Sequence, residues 1–144
     1  MKKLIFLIIP ILIFLNYNIK AQCNSQLHDK CYAEIKGTTY LKDFKVRLQV
    51  AEKNKKSPIA KYSIAFSKGN QYRFTICCDV NKDSEAIIQI YQSSQLVGSN
   101  FVKDSDKIYP AFDFVCNKTG IYSIMISYKD GKDGCSVTML SLVQ

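Results

Sequence analysis

The sequence predicts a mainly β protein: an antiparallel β-sandwich or jelly roll of seven or eight strands with one N-terminal helix. Apolar and polar residues alternate along several short segments, which is the pattern of half-buried strands. Polar turns rich in Gly, Asn and Asp separate these segments at near-regular intervals. The chain of 144 residues also contains six cysteines, an even number that favours a domain held together by disulfides.

The first 21 residues have the order of a secretory signal peptide. Lys2 and Lys3 precede an apolar run of 12 residues, and a short polar stretch then leads to Ala21. The run is shorter than the roughly 20 residues that span a bilayer as a helix. We therefore predict cleavage near Ala21/Gln22, a secreted or periplasmic location without a transmembrane span, and one mature domain over residues 22–144.

Two alternatives to this cleavage stay open: the apolar run is retained as a membrane anchor, or Cys23 is lipid-modified. Lipoprotein signals place small residues directly before the modified cysteine, whereas Gln22 is long and polar. Simple cleavage leaves 123 residues, a length that suits a single domain with its own core.

The positive charge of the predicted mature chain gathers near its start. Residues 22–60 carry a net charge of +4, whereas residues 61–144 carry +1. The densest stretch contains Lys53, Lys55 and Lys56 among Asn, Ser and Pro, a composition typical of a solvated loop. Since neither Arg nor an aromatic residue is interleaved with these lysines, we expect no nucleic-acid partner.

A helix is predicted over about residues 23–36, because one apolar stripe repeats every four residues. The stripe consists of Cys23, Leu27, Cys31 and Ile35. In a helix, Cys23 and Cys31 lie ~12 Å apart along the axis, whereas a disulfide needs Cα atoms within ~7 Å. Each must then pair with a cysteine of the sheet and fasten the helix to it.

After Gly37 the pattern changes to strands, and Asp130 to Gly134 indicates a hairpin turn with two glycines available for positive φ. The predicted strands lie at residues 44–50, 62–67, 72–78, 86–91, 96–101, 112–116, 122–128 and 135–143. In the third of these strands Cys78 points to the core and Cys77 to the opposite face, which makes Cys77 a candidate partner for a helix cysteine.

Disulfides are expected for all six cysteines, although the pairing is left open. They are Cys23, Cys31, Cys77, Cys78, Cys116 and Cys135. A vicinal Cys77–Cys78 bond is a less favoured alternative. With no C-x-x-C motif and a single histidine, the sequence matches neither a zinc site nor a thioredoxin-type motif.

Four stretches in the second half of the chain carry a resemblance to a known family. They are residues 62–66 followed by Gly69, residues 72–76, residues 88–91 and residues 120–124. Over about residues 60–144 the chain resembles the bacterial pre-peptidase C-terminal (PPC-like) β-sandwich domain. The resemblance implies a sandwich fold and a non-catalytic role, and some family members bind carbohydrate or protein fibres. The six cysteines and the N-terminal helix depart from the family pattern.

Oxygen ligands at alternate positions make Asp79, Asn81 and Asp83 candidates for a calcium site at the rim of the sandwich. An EF-hand is excluded, because Ser84 and Ile90 stand where that loop needs Gly and a bidentate Glu. The alternative is an ordinary polar turn, and no other cofactor is expected.

Aromatic residues around the polar segment 92–109 provide a candidate binding surface. Tyr91, Phe101 and Tyr109 are the predicted stacking platform for sugar rings or a protein partner, and core packing under a long loop is the alternative.

Catalytic residues are not predicted, since His28 is the only histidine and lies on the helix beside Asp29. We therefore expect an exported, non-catalytic module that binds a surface polysaccharide or an envelope protein. A structural or inhibitor-like protein acting through the lysine loop is the alternative, and a small hydrolase is the least favoured.

Overall fold

The computed structural model describes Cys23 and residues 25–143. The predicted signal peptide and its cleavage point lie outside these residues. One helix, α1 (Ser25–Ala33), precedes ten strands. Along the chain they are β1 (Thr38–Leu48), β2 (Ala60–Phe66), β3 (Gln71–Cys78), β4 (Ala86–Gln92), β5 (Gln95–Ser99), β6 (Phe101–Val102), β7 (Lys107–Ile108), β8 (Ala111–Val115), β9 (Gly120–Tyr128) and β10 (Gly134–Val143).

Eight of the strands form two four-stranded antiparallel sheets, with the orders β1-β10-β3-β8 and β2-β9-β4-β5. Strands β6 and β7 form a separate two-stranded ribbon. A chain that alternates between two such sheets has the architecture of a jelly roll, so the predicted fold class is confirmed. The strand number is ten rather than seven or eight. The ribbon strands have two residues each, which is too short to show an alternation in the sequence.

The core lies between the two sheets and is centred on Phe66. Its ring packs against Tyr72, Phe114 and Tyr122, with centroid distances of 4.3, 5.5 and 5.4 Å. Each of these side chains is at most 6 % exposed, and burying one large apolar side chain stabilises the fold by about 1.5–3 kcal/mol.

Helix α1 packs on the outer face of the first sheet. Cys31 and Ile35 lie against Val137 and Met139 of β10, so the predicted apolar stripe faces the protein. The helix ends at Ala33 rather than near residue 36, because the next residues tighten into a turn that closes at Gly37 (φ 78°).

Within residues 25–143 there is no helix long and apolar enough to cross a membrane.

Two disulfides fasten α1 to the sheet, as the helix geometry predicts. Cys23 pairs with Cys135 and Cys31 pairs with Cys77, with Cα atoms 5.6 and 5.7 Å apart. Cys31 belongs to α1, whereas Cys23 lies just before it, because the helix begins at Ser25 and not near residue 23. Both cysteines bond to strands, and Cys77 is one of the two partners.

Cys78 and Cys116 are thiols, which corrects the expectation that all six cysteines form disulfides. The N–H of Cys116 donates to the carbonyl of Asn70 (2.9 Å), just before β3 begins, whereas Cys78 is the last residue of that strand. Eight residues of strand separate these two points by ~26 Å. A third disulfide is therefore excluded by the distance between the two thiols.

Candidate functional site: a groove between the helix and an edge strand

A groove of about 610 Å³ runs along the outer face of the first sheet. It exists because α1 packs over β10 and β3 and leaves the side towards β8, the edge strand, uncovered. Arg73, Thr75 and Cys77 of β3 form its floor, since the intervening Tyr72, Phe74 and Ile76 point into the sandwich core. One wall is α1, and the other is residues 110–113.

An ion pair crosses the floor of the groove. Arg73 and Asp113 stand directly opposite each other on β3 and β8. Arg73 Nε donates to Asp113 Oδ1 (2.6 Å) and Nη2 donates to Oδ2 (2.8 Å), and Gln71 Nε2 donates to the same Oδ2 (2.8 Å). The Arg73 guanidinium holds the pKa of the Asp113 carboxyl below its usual value, and the carboxylate in turn raises the pKa of Arg73.

The wall on the helix side carries two further charges, Lys30 of α1 and Glu34 in the turn that follows it. They lie four residues apart, and neither forms an ion pair with any residue in the described part of the chain. The groove therefore contains two cations and two anions, of which Arg73 and Asp113 neutralise each other. Lys30 and Glu34 remain available to a bound ligand.

The end of β3 leaves part of its backbone without a neighbouring strand. The register between β3 and β8 ends at Thr75 and Ala111, and one further bond runs from the Ile76 N–H to the carbonyl of Pro110 (2.7 Å). Proline has no N–H, so Pro110 offers no donor to the Ile76 carbonyl. Two residues further on, the N–H and C=O of Cys78 point to the same side, where β8 has no residue opposite them.

A second cleft of about 270 Å³ continues the groove past Cys78 to the ribbon residues Ile108 and Tyr109. The ribbon is held there by Asn100, whose side chain is buried among backbone groups. Asn100 Nδ2 donates to the carbonyls of Ala86 (2.9 Å) and Tyr109 (3.1 Å), and Oδ1 accepts from the N–H of Ile88 (2.7 Å). Two of these bonds join Asn100 to β4, and the third joins Asn100, just before the ribbon, to Tyr109, just after it.

The free thiol between the two cavities is poorly suited to nucleophilic chemistry. Cys78 lines both clefts and is partly buried. Burial raises the pKa of its thiol, and the nearby Glu85 carboxylate acts in the same direction. The protonated thiol is the weaker nucleophile, so the groups in this groove are suited to recognition.

The three aromatic residues predicted as a platform lie in two places. Phe101 and Tyr109 belong to the ribbon region, and Lys107 Nζ lies 4.7 Å from the centroid of the Tyr109 ring. Tyr91 lies opposite Ser123 near the end of β4, whereas Asn100 contacts the beginning of that strand. Tyr109 alone of the three lines one of the clefts described above.

The candidate calcium residues form a turn closed by its own hydrogen bonds. Asp79 Oδ1 accepts from both the N–H and the side-chain amide of Asn81, each at 3.0 Å. Asp83 has a fully exposed side chain and faces Lys132 (3.4 Å). Across residues 25–143 no three His, Cys, Asp or Glu side chains come together as metal ligands. Calcium binding at this rim stays a prediction, with an ordinary polar turn as the alternative.

The other residues singled out in the sequence lie away from the groove. Lys53, Lys55 and Lys56 are exposed in the connection between β1 and β2, where Lys55 pairs with Glu52. His28 on α1 approaches Asp43 of β1 (Nε2 to Oδ2, 3.8 Å).

Tyr32 and Tyr40 form an exposed aromatic pair at the end of α1, with ring centroids 5.6 Å apart in an edge-to-face arrangement. Tyr40 Oη donates to Asp43 Oδ1 (2.6 Å), and this bond is the main cause that raises the pKa of Tyr40 to about 12. The pair was not predicted from the sequence, because the two residues lie on different elements.

No protein-family model matches this chain, and no curated protein sequence matches it either. The structural class of the protein is therefore described from its fold and geometry alone. It is a jelly roll with a helix fastened by disulfides and an open, charged groove beside that helix. The resemblance to the PPC-like domain stays a prediction.

Proposed function

We propose that this protein is an exported, non-catalytic binding module that holds an extended ligand, a surface polymer or a protein segment, in the groove between α1 and β8. The observation that carries the proposal is the Arg73–Asp113 pair at the floor of that groove. The pair holds a planar set of donors and acceptors on two paired strands, and planar, pre-oriented polar groups favour specific recognition.

The chemistry of the groove supports binding more than catalysis. Asp113 is held as a carboxylate by Arg73, so it is a poor proton donor near neutral pH. The Cys78 thiol is held protonated by burial, so it is a poor nucleophile. Both groups are instead hydrogen-bonding partners for a ligand that enters the groove.

Export is supported by the two disulfides together with the predicted signal peptide. Disulfides persist in oxidising compartments and are rare in reducing ones. A location outside the cytoplasm would also expose the groove to the polymers and proteins of a cell surface, which are the proposed classes of ligand.

The proposal is tested with the oxidised protein beginning at Gln22, on a glycan array and in a pull-down from envelope extract. Arg73→Met removes the guanidinium and keeps an unbranched side chain, and we expect about a tenfold loss of binding, the cost of one charge-assisted hydrogen bond. Near-ultraviolet circular dichroism checks that the variant is folded.

The matched control replaces Lys53, Lys55 and Lys56 with Ser and leaves the groove unchanged. We expect it to bind like the wild type, whereas loss of activity in this variant would favour the inhibitor-like alternative. Blank results for the wild type in both assays, or unchanged binding by the folded Arg73→Met variant, would contradict the proposal.

A further inference from the structure

We infer that the loop between β1 and β2 docks on a membrane surface that bears anionic phosphate headgroups, through lysines at its tip and two aliphatic side chains at its base. This inference goes beyond the groove and does not depend on its ligand. Two observations carry it: positive charge is concentrated around this loop, and the exposed side chains of Val50 and Ile59 lie on either side of that charge.

The base of the loop is held against the connection between β9 and β10. The Ala51 N–H donates to the Gly131 carbonyl (2.7 Å). The side chains of Ala51 and Ser57 both lie against Gly131, where an added Cβ would come within 2.9 Å of the Ala51 Cβ and 2.8 Å of the Ser57 Oγ. Because both ends of the loop meet at one glycine, residues 52–56 form a short tip, and all five of them are exposed.

The tip presents three lysines, Lys53, Lys55 and Lys56, on a turn in which the Lys55 N–H donates to the Glu52 carbonyl (3.0 Å). Glu52 also forms an ion pair with Lys55. Lys53 and Lys56 form no ion pair within the part of the chain that the structure describes. These two cations are therefore available to anions outside the protein.

The charge around the loop is not shared by the rest of the chain. Residues 36–61, which contain β1, the loop and the start of β2, carry eight basic and two acidic residues, whereas residues 62–144 carry eight of each. The connection on which the loop rests, residues 129–133, contains two lysines and two aspartates and adds no net charge. A local excess of this kind attracts anionic surfaces.

Two aliphatic side chains lie beside the lysines. Val50 is 61 % exposed and adjoins Ala51 at the base of the loop, and Ile59 is 48 % exposed and follows Ser57 by two residues. At the surface of a bilayer, lysines contact the headgroups while neighbouring aliphatic groups leave water. The loop therefore combines the two kinds of side chain that peripheral membrane contact uses.

An acidic polysaccharide fits the loop less well. Residues 49–61 contain no aromatic side chain that could stack on a sugar ring and no Arg that could hold a carboxylate or sulfate by two hydrogen bonds. A polysaccharide would also leave Val50 and Ile59 in water. The combination of lysines and aliphatic groups thus favours a lipid surface.

The test is co-sedimentation of the oxidised protein beginning at Gln22 with vesicles of phosphatidylglycerol and phosphatidylcholine in equal parts, and with vesicles of phosphatidylcholine alone. Because this form lacks the predicted signal peptide, the apolar run cannot contribute to binding. We expect binding to the anionic vesicles at about 0.1 M salt and its loss at about 1 M, where the screening length falls from ~10 to ~3 Å. Binding to neither kind of vesicle at the lower salt concentration would overturn the inference.

The variant Lys53→Gln with Lys56→Gln should weaken binding to the anionic vesicles about 25-fold, or about fivefold for each lysine. The matched control is Lys68→Gln with Lys118→Gln. It makes the same change of net charge at the opposite end of β2, where the Lys68 N–H donates to Thr119 Oγ1 (2.8 Å), and it should change binding about twofold or less. Equal losses in the two variants would overturn docking through the loop.

The variant Val50→Ser with Ile59→Ser tests the aliphatic contact. Both side chains are exposed, so the fold is retained, which near-ultraviolet circular dichroism checks. We expect about tenfold weaker binding to the anionic vesicles and unchanged binding to dextran sulfate, a soluble polyanion without lipid. Unchanged vesicle binding, or an equal loss for both probes, would overturn the lipid surface as the partner.

The groove variant Arg73→Met separates this inference from the proposed function. Arg73 lies on β3 in the groove, so Arg73→Met should bind the vesicles like the wild type whether or not it loses the ligand of the groove. Vesicle binding that is lost in Arg73→Met and kept in Lys53→Gln with Lys56→Gln would place the membrane contact at the groove and overturn the role of the loop.

Discussion

The bond between Cys31 and Cys77 should provide a large part of the stability of this fold, and its removal is the sharpest test of the structure. The change is the double variant Cys31→Ala with Cys77→Ala. The bond joins residues 46 positions apart, and the chain-entropy relation for a loop of that size gives about 4 kcal/mol. We expect the free energy of unfolding, measured by urea titration under oxidising conditions, to fall by about that amount.

The matched control is Cys78→Ala, which removes a sulfur atom from the neighbouring residue without breaking a bond. It should cost about 1 kcal/mol, the value of a small buried apolar group. Titration of the unfolded, unreduced wild type should detect two thiols. A loss below about 1 kcal/mol in the double variant, or six thiols in the wild type, would refute the reasoning.

Three further predictions concern single residues. Asn100→Ala should lower the free energy of unfolding by about 3 kcal/mol, ~1 kcal/mol for each of its hydrogen bonds, in a urea titration; a change below about 0.5 kcal/mol would contradict the role of Asn100 in holding the ribbon. Gly134→Ala should cost about 1–3 kcal/mol by thermal unfolding, because its Cβ would lie 2.5 Å from the Tyr128 ring, and wild-type stability would show that this ring can move. Asp113, whose pKa is lowered by Arg73, should stabilise the fold above its unfolded pKa of about 4 and lose that contribution as the pH falls through the folded value. The difference in melting temperature between the wild type and Asp113→Asn should therefore be constant near neutral pH and vanish in acid, and a difference independent of pH would contradict the ion pair.

Local patterns in the sequence predict the elements that carry most of the fold. The alternation of Tyr72, Phe74 and Ile76 with polar residues predicts β3 and the side on which each residue lies, because strand side chains alternate with period two. The same rule places Cys77 and Cys78 on opposite faces, which the disulfide to α1 and the core position of Cys78 confirm.

Turn conformations were predicted less well. A hairpin turn with two glycines available for positive φ was predicted over Asp130 to Gly134, but β9 and β10 belong to different sheets, so this connection crosses between the sheets and is not a hairpin. Its positive φ angles are at Asp130 (φ 57°) and Gly131 (φ 66°). Gly134 instead begins β10 beside the ring of Tyr128, where a side chain has no room. A glycine required for close packing and one required for its backbone angle look identical in a sequence.

The amino-acid sequence by itself determined the segments of the longer strands, that α1 presents Cys31 to the sheet, and that Cys23 and Cys31 bond to strands and not to each other. These properties depend on neighbours within about one or two turns of chain. Only the tertiary structure decided that Arg73 meets Asp113 across forty positions, that Pro110 leaves the end of β3 without a donor, and that two thiols are too far apart to join. Those properties depend on strand order and register, which come from packing two sheets against each other and not from any local pattern.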